Sequence, residues 1–319
     1  MRLTGKTKKK MLVCTFAFIV FAALGLSGLA GNNVLRYLFR IFLYITIGQM
    51  WNLLSGYAGL TSLGQQAFIG LSGYALAVTT TRYGLPYPAG FAAGLAISII
   101  FAYVLSFLLM RIDGMYFAIT TWVVAEALGT FFMSWSYVNQ GAGMTVTASP
   151  YPKIDTLYMM ALILCFLTLL AMYALLGSGS GLGIRALHDD VQAAEAVGVN
   201  SRRTKRTVYM IAAVFTSLAG ALFFLNKGTI YPESGFDIGW TISMVFIVII
   251  GGSGTIAGPV AGAVVYVLLS EYLAHYPGWS NMILGAVAII MIIFCPQGIV
   301  RGIQKAVSRS RQEGHARDT

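Results

Sequence analysis

The sequence predicts an all-α polytopic membrane protein, a bundle of eight to ten transmembrane helices. Three observations point there. Apolar residues make up 57% of the chain and charged ones only 10%, with a mean hydropathy of +0.76; soluble domains are about a quarter charged. Apolar runs of about 20 residues, enough to cross ~30 Å of hydrocarbon, recur along the whole chain. The runs do not alternate apolar with polar residues as barrel strands do, so helices are the way to satisfy the backbone in lipid.

Ten spans can be drawn, over residues 11–30, 37–54, 58–80, 88–110, 115–134, 157–176, 207–225, 240–251, 258–274 and 280–296. The first follows the basic start MRLTGKTKKK, and SGLAGN after it offers small residues for cleavage, as in a signal peptide. Its apolar run exceeds the usual 7–15 residues of a signal peptide, so a retained helix is expected. The second runs into NLLSGYAGLTSLGQQAFIGLSGYALA, Asn52 to Ala77, where glycines mix with Ser55, Thr61, Ser62, Gln65 and Gln66. Glycine-interrupted spans let helices break and present polar groups to a pathway. Tight packing is the other reading of the same residues, and Ser55, Gly59, Ser62, Gln65 and Gln66 are the candidate pathway set.

The fifth span holds Glu126 in TTWVVAEALGTFF. A carboxylate at the centre of a span costs about 2.5–3.5 kcal/mol on insertion scales, so Glu126 is expected to face the bundle interior or a water-filled cavity. The eighth span is short for a full crossing. The ninth opens with Gly254, Gly258 and Gly262, a GxxxGxxxG spacing that cuts a flat groove for a neighbouring helix. Glu271, near the end of this span, is expected to be solvated. Glu233 and Asp237, in YPESGFDIGW, fall in a loop. GYAG before GLSGY and GGSG before GAVVY form a faint internal echo of the kind transporter repeats leave.

Charge sets the topology. With both termini cytoplasmic, sixteen of the 21 Lys and Arg residues lie inside, and only Arg36, Arg40, Arg82, Lys153 and Lys227 lie outside. That bias follows the positive-inside rule. The chain reads as one transmembrane domain over residues 1–306, with a polar cytoplasmic loop at 177–206 and a basic tail at 307–319. The net charge of +10 flanks membrane spans, which argues for topology and not for nucleic-acid binding.

Several chemistries are excluded. Cys14, Cys165 and Cys295 lie in separate apolar segments with no metal-ligand or disulfide spacing, so neither a metal nor a cofactor is expected. GGSG invites a serine-protease reading with His275, but Ser253 and His275 stand at opposite ends of one span, roughly 20 residues at 1.5 Å each. No GxxxxGK[ST] phosphate loop occurs, so the chain does not hydrolyse ATP itself.

The polar insert is the unusual element. Asp189 or Asp190 can cap a short helix, Ala193 to Ala196 favour it, and Gly198 and Asn200 can end it. Val191, Ala194 and Val197 fall on one face, a set of small apolar knobs suited to a groove in another protein. A helix lying in the membrane interface is the alternative.

AAEAVG, Ala193 to Gly198, resembles the EAA motif of permease subunits of bacterial ABC importers. IRALHDDVQAAEAVGVN, NLLSGYAGLTSLGQQAF, the YPESGF loop, VIIGGSGTIAGPVAGA and FCPQGIV together resemble the LivM-type permeases of branched-chain amino-acid transporters, from about residue 41 to 304. NQGAGM stands where many members have a TGG-like turn, and Glu126 matches a Glu usual in the fifth span.

The resemblance implies an ABC importer permease fold in the bacterial plasma (inner) membrane and a second, LivH-like permease subunit. It also implies two cytoplasmic ATP-binding subunits that hydrolyse the ATP, and an external solute-binding protein. Arg185, Asp190, Ala194, Glu195, Ala196 and Gly198 would form the ATPase-coupling element. Branched-chain amino acids would be the solutes; urea and short amides are the alternative within the same family. An autonomous ion-coupled carrier using Glu126 is the rival of another class.

Overall fold

A computed structural model describes residues 5–27, 31–148, 150–273, 280–294, 298–300 and 302. Ten helices coincide with the ten expected spans: α1 (Gly5–Leu26), α2 (Asn32–Trp51), α3 (Gln66–Thr81), α4 (Tyr87–Leu109), α5 (Gly114–Ser134), α6 (Ile154–Leu176), α9 (Ser201–Lys227), α11 (Gly239–Gly251), α12 (Ala257–Leu273) and α13 (Ser280–Phe294). Between α6 and α9 the polar insert forms α7 (Gly179–Asp189) and α8 (Val191–Ala196). A single turn, α10 (Pro232–Gly235), precedes α11.

Helix α9 is the axis of the bundle. It packs on α2, α3, α4 and α6, and two-thirds of its most apolar window is buried. Small residues on its inner face, Ala212, Ala213, Thr216, Ser217 and Ala219, let its neighbours approach closely. Helix α1 lies against α6, where Phe18 stacks on Phe166 at 4.5 Å and Tyr158 donates to the Phe21 carbonyl at 2.8 Å. Cys165 is buried and Cys14 half-buried. Cys295, His275 and the tail at 307–319 lie outside the described residues.

The structure changes four expectations. The third span begins at Gln66, because α2 runs into a π-helical turn over Asn52–Tyr57 and residues 59–65 are non-helical. The short eighth span is lengthened by α10, giving an apolar unit of 20 residues over Pro232–Gly251. Gly254 does not share a helix face with Gly258 and Gly262: it lies in the turn before α12 with φ +69. Gly258 and Gly262 do meet α11, and a Cβ on Gly262 would stand 2.0 Å from the Ile247 carbonyl oxygen, so backbone rests on backbone there. Glu271 is half-buried and ion-paired with Arg40 of α2 instead of merely solvated.

A two-residue antiparallel ladder also forms, β1 (Met144–Thr145) on β2 (Thr229–Ile230), in register Met144 to Ile230. It ties the loop after α5 to the end of α9. Five described helical units are long and apolar enough to cross a membrane, and Met11–Leu26 and Ala257–Leu273 are shorter apolar helices. The protein is an all-α, multi-pass membrane bundle.

Candidate functional site

The insert builds its own short helix. Asp190, extended at φ −156, accepts from the Gln192 and Ala193 amides at 2.8 and 3.0 Å, which caps α8 at its start. At the other end the Gly198 amide bonds the Glu195 carbonyl and the Val199 amide bonds the Ala194 carbonyl, both at 3.0 Å. That is a Schellman closure, and it requires the left-handed φ of +89 that Gly198 adopts.

The expected apolar face is split by this geometry. Ala194 is 2% exposed and turns inward, while Val197 is 78% exposed. Glu195 and Ala196 are exposed as well. Ala194 therefore anchors α8 to its own chain, and Val197 and Ala196 with Glu195 form the outward surface.

Helix α7 docks this element onto the broken end of α2. Its buried Ile184 and Leu187 seat it on the bundle. The Arg185 guanidinium lies 5.8 Å from the centre of the Tyr57 ring, within cation–π reach. The His188 Cα lies 3.5 Å from where a Cβ on Gly59 would stand. The polar insert thus touches the π-helical turn and the non-helical segment after it.

Side chains binding backbone fasten the end of α2 to the turn before α12 and hold the segment after it, where residues 59–65 lack the partners of a regular helix. Asn52 accepts from the Gly254 amide and donates to the Thr255 carbonyl, both at 2.9 Å, so the turn before α12 is latched to the π-helical turn. Gln49 donates to the Ile256 carbonyl, and the Trp51 indole to the Ser62 carbonyl at 2.9 Å. Ser62 Oγ accepts from the Gly64 amide at 3.4 Å.

Gln65 Oε1 accepts from Thr216 Oγ1 at 3.2 Å, and Gln66 Oε1 from Thr241 Oγ1. Ser62, Gln65 and Gln66 are fully buried; Ser55 is half-buried and Gly59 exposed. Gln66 Nε2 and Gln49 Oε1 are buried without a partner among the described residues. Each such group costs about 1–3 kcal/mol.

The segment then meets α5. The Leu63 amide donates to Thr121 Oγ1 at 3.1 Å, and a Cβ on Gly64 would stand 2.1 Å from the Thr121 carbonyl oxygen. Helix α5 is also tethered at its start: Asp113 makes no cap bond to its own helix and pairs instead with Lys205 of α9, which is 4% exposed.

Glu126 departs from its expected place. It does not face the interior of this chain; it is exposed on α5, and its Oε1 accepts from the Trp122 indole at 3.1 Å. The reason is helical phase: Phe117, Thr121, Ala125 and Phe132 take the buried side.

Sequence reasoning passed over Asn52, Tyr57, Thr121 and the Asp113–Lys205 pair. Asn52 and Thr121 are polar residues inside apolar runs, which is a usable signal. Ser253, proposed and rejected as a nucleophile, stands beside the Asn52 latch, where a Cβ on Gly56 would approach its Oγ to 2.9 Å.

A multi-pass helical bundle whose helical polar insert rests on a broken, amide-lined segment has the build of a membrane transport subunit. Residues 33–295 match the family described as branched-chain amino acid transport system / permease component, and the chain belongs to that family. It is 27% identical to the high-affinity branched-chain amino acid transport system permease protein LivM of Escherichia coli (strain K12), over 81% of this chain and 68% of that one. The corresponding LivM of Salmonella typhimurium is 26% identical over the same shares. LivH of Salmonella typhimurium, a permease protein of the system of the same name, is 28% identical over 46% of this chain and 48% of its own length. No solved structure matches.

Proposed function

We propose that this chain is one of two permease subunits of an ATP-driven ABC importer carrying leucine, isoleucine, valine or related amino acids across the bacterial plasma (inner) membrane. Its termini are cytoplasmic. A second, LivH-like permease, two ATP-binding subunits and an external solute-binding protein complete the importer, and ATP is hydrolysed by the separate subunits.

One observation supports this most: the path of contact from the insert to α5. The ATPase subunits would grip the outward surface of α8, at Glu195, Ala196 and Val197. Asp190 and Gly198 keep α8 a rigid peg, and Arg185 on Tyr57 with His188 on Gly59 carries its displacement into residues 52–65. Leu63 and Gly64 press on Thr121, so α5 moves with them. Differential contact of the ATPases with the two positions is the energetic source of coupling. The buried amides of Gln49, Gln65 and Gln66 with Ser55, Gly59 and Ser62 would line the gate that this motion opens. Gly258 and Gly262, clamped to α11, are the fixed frame.

Gentle purification of the tagged chain from its native membrane tests the reading: a second permease and two Walker-motif ATPases should co-purify. Val197→Asp should release the ATPases and stop uptake while the protein stays in the membrane. Recovery of the chain alone, with uptake in vesicles lacking ATP, would replace the importer with a carrier. Binding of urea or a short amide by the external protein would move the substrate within the family.

A further inference from the structure

We infer that the outward face of α5 is the wall this subunit presents to the second permease, and that Glu126 on it binds the ammonium group of the transported amino acid. The inference rests on the reading of the chain as an amino-acid importer subunit.

Helix α5 is long and apolar enough to span a membrane, yet only 28% of its most apolar window is buried within the chain. Its inner side is accounted for by Phe117, Thr121, Ala125 and Phe132. Its outer side shows Ile119, Trp122 and Val123 with Glu126 among them. Glu126 is the thirteenth of 21 helical residues, about 18 Å from one end of α5 and 12 Å from the other at 1.5 Å per residue. At that depth a carboxylate facing lipid is penalised by about 2.5–3.5 kcal/mol. Trp122 supplies one hydrogen bond, whereas an ionised carboxylate has about four acceptor sites. The remaining sites find no partner among the described residues and call for a polar or cationic one.

The occupant follows from the relatives. One organism has two permease proteins of the same transport system, LivM and LivH, and this chain is similar to both. Two chains of related sequence associate most simply about a pseudo-twofold axis, which sets equivalent faces against each other. An α5-to-α5 seam removes Glu126 from lipid and places it where a solute passes between subunits.

The solute's chemistry fits. An aliphatic amino acid carries a single cation, its ammonium, beside an apolar side chain. Glu126 offers the counter-charge, and Val123, about one helical turn away, and Ile119, about two turns away, offer apolar surface. Thr121, on the same helix, is where residues 63–64 push, so the binding carboxylate moves with the gate.

The test uses the complete importer. A benzophenone residue at position 119 or 123 should cross-link to the second permease on irradiation, and one at position 100 of α4 only to lipid. Capture of lipid alone from both α5 positions overturns the interface. Separately, binding of radiolabelled L-leucine and of 4-methylpentanoate, its analogue without the ammonium, is measured on the complex without the external protein. The wild type should prefer leucine at least tenfold; E126Q should erase that preference and E126D retain part of it.

Equal binding of the two probes by the wild type, or an unchanged preference in E126Q, overturns the assignment. Co-purification of the ATPases with every variant keeps the importer reading separate from this one: if they are absent, that reading falls, and if they are present, only the role of Glu126 does.

Discussion

Helices α4 and α5 follow one another in the chain, and each buries 28% of its most apolar 18-residue window. Their exposed sides are nevertheless different. Helix α4 shows Ile97, Ile100, Val104, Phe107 and Leu108, and its window has a mean hydropathy of 2.4. Helix α5 shows Met115, Ile119, Trp122 and Val123 around Glu126, with a window of 1.4. Arg206, near the end of α4, lays its guanidinium 4.4 Å from the centre of the Phe107 ring, as a cation does at the rim of a lipid-facing surface. Equal exposure thus hides two environments. The α4 face is suited to hydrocarbon, and the α5 face to protein and water.

Moving the charge from one helix to the other is the most forceful way to break that contrast. Ile100→Glu, mid-way along the exposed side of α4, is expected to cost about 2.5–3.5 kcal/mol and to cut the yield of membrane-inserted protein. Normal yield and thermal stability would mean that α4 does not face lipid.

The tether of α5 comes next. Asp113→Asn leaves the buried Lys205 ammonium without its counter-charge and should cost on the order of 2 kcal/mol. A fully buried pair would lose ~3–5 kcal/mol, but the Asp113 side of this pair is open to solvent. Adding Lys205→Met to that variant should recover most of the loss in a thermal-unfolding assay in detergent, and no recovery would show that the pair is not the tether.

A smaller effect is expected at the point where α5 is pushed. Gly64→Ala brings a methyl group against the Thr121 carbonyl, an overpacking worth about 1–3 kcal/mol. It should slow uptake more than it lowers the amount of protein in the membrane. Thr121→Val keeps the shape but removes the acceptor of the Leu63 amide, for about 1 kcal/mol. If both variants transport normally, residues 63–64 do not drive α5.

The spans were legible because each is a local sum of apolar residues, and the ten helices that match them therefore lie where the runs are. The short helix at 191–196 was legible for a related reason: its start and stop are written within ten residues, in Asp190 and Gly198. What could not be read is contact over distance. Asn52 meets Gly254 across 202 residues and Lys205 meets Asp113 across 92, and neither pair has a spacing that betrays it.

Rotation about a helix axis was also hidden. Ala194 turned inward and Glu126 outward because of what the neighbouring helices present: α5 is apolar nearly all round, which leaves its phase open, and six residues of α8 are too few to fix one. The break at residues 59–65 was signalled by its glycines, but the π-helical turn that starts it was not.

The closure of α8 by its own residues has a consequence for how the machine is put together. Free helices shorter than about 12 residues are marginal in water, yet these six residues are held by bonds and contacts within this chain alone. Docking of α8 in a partner's groove, as proposed, would then forfeit little conformational freedom, so a modest interface would suffice and could form and part repeatedly without refolding. A synthetic peptide copying residues 190–199 would lack the anchor that Ala194 finds on this chain, and would compete poorly for the same groove. An inhibitor aimed at the proposed coupling helix would need its own helix locked into shape beforehand.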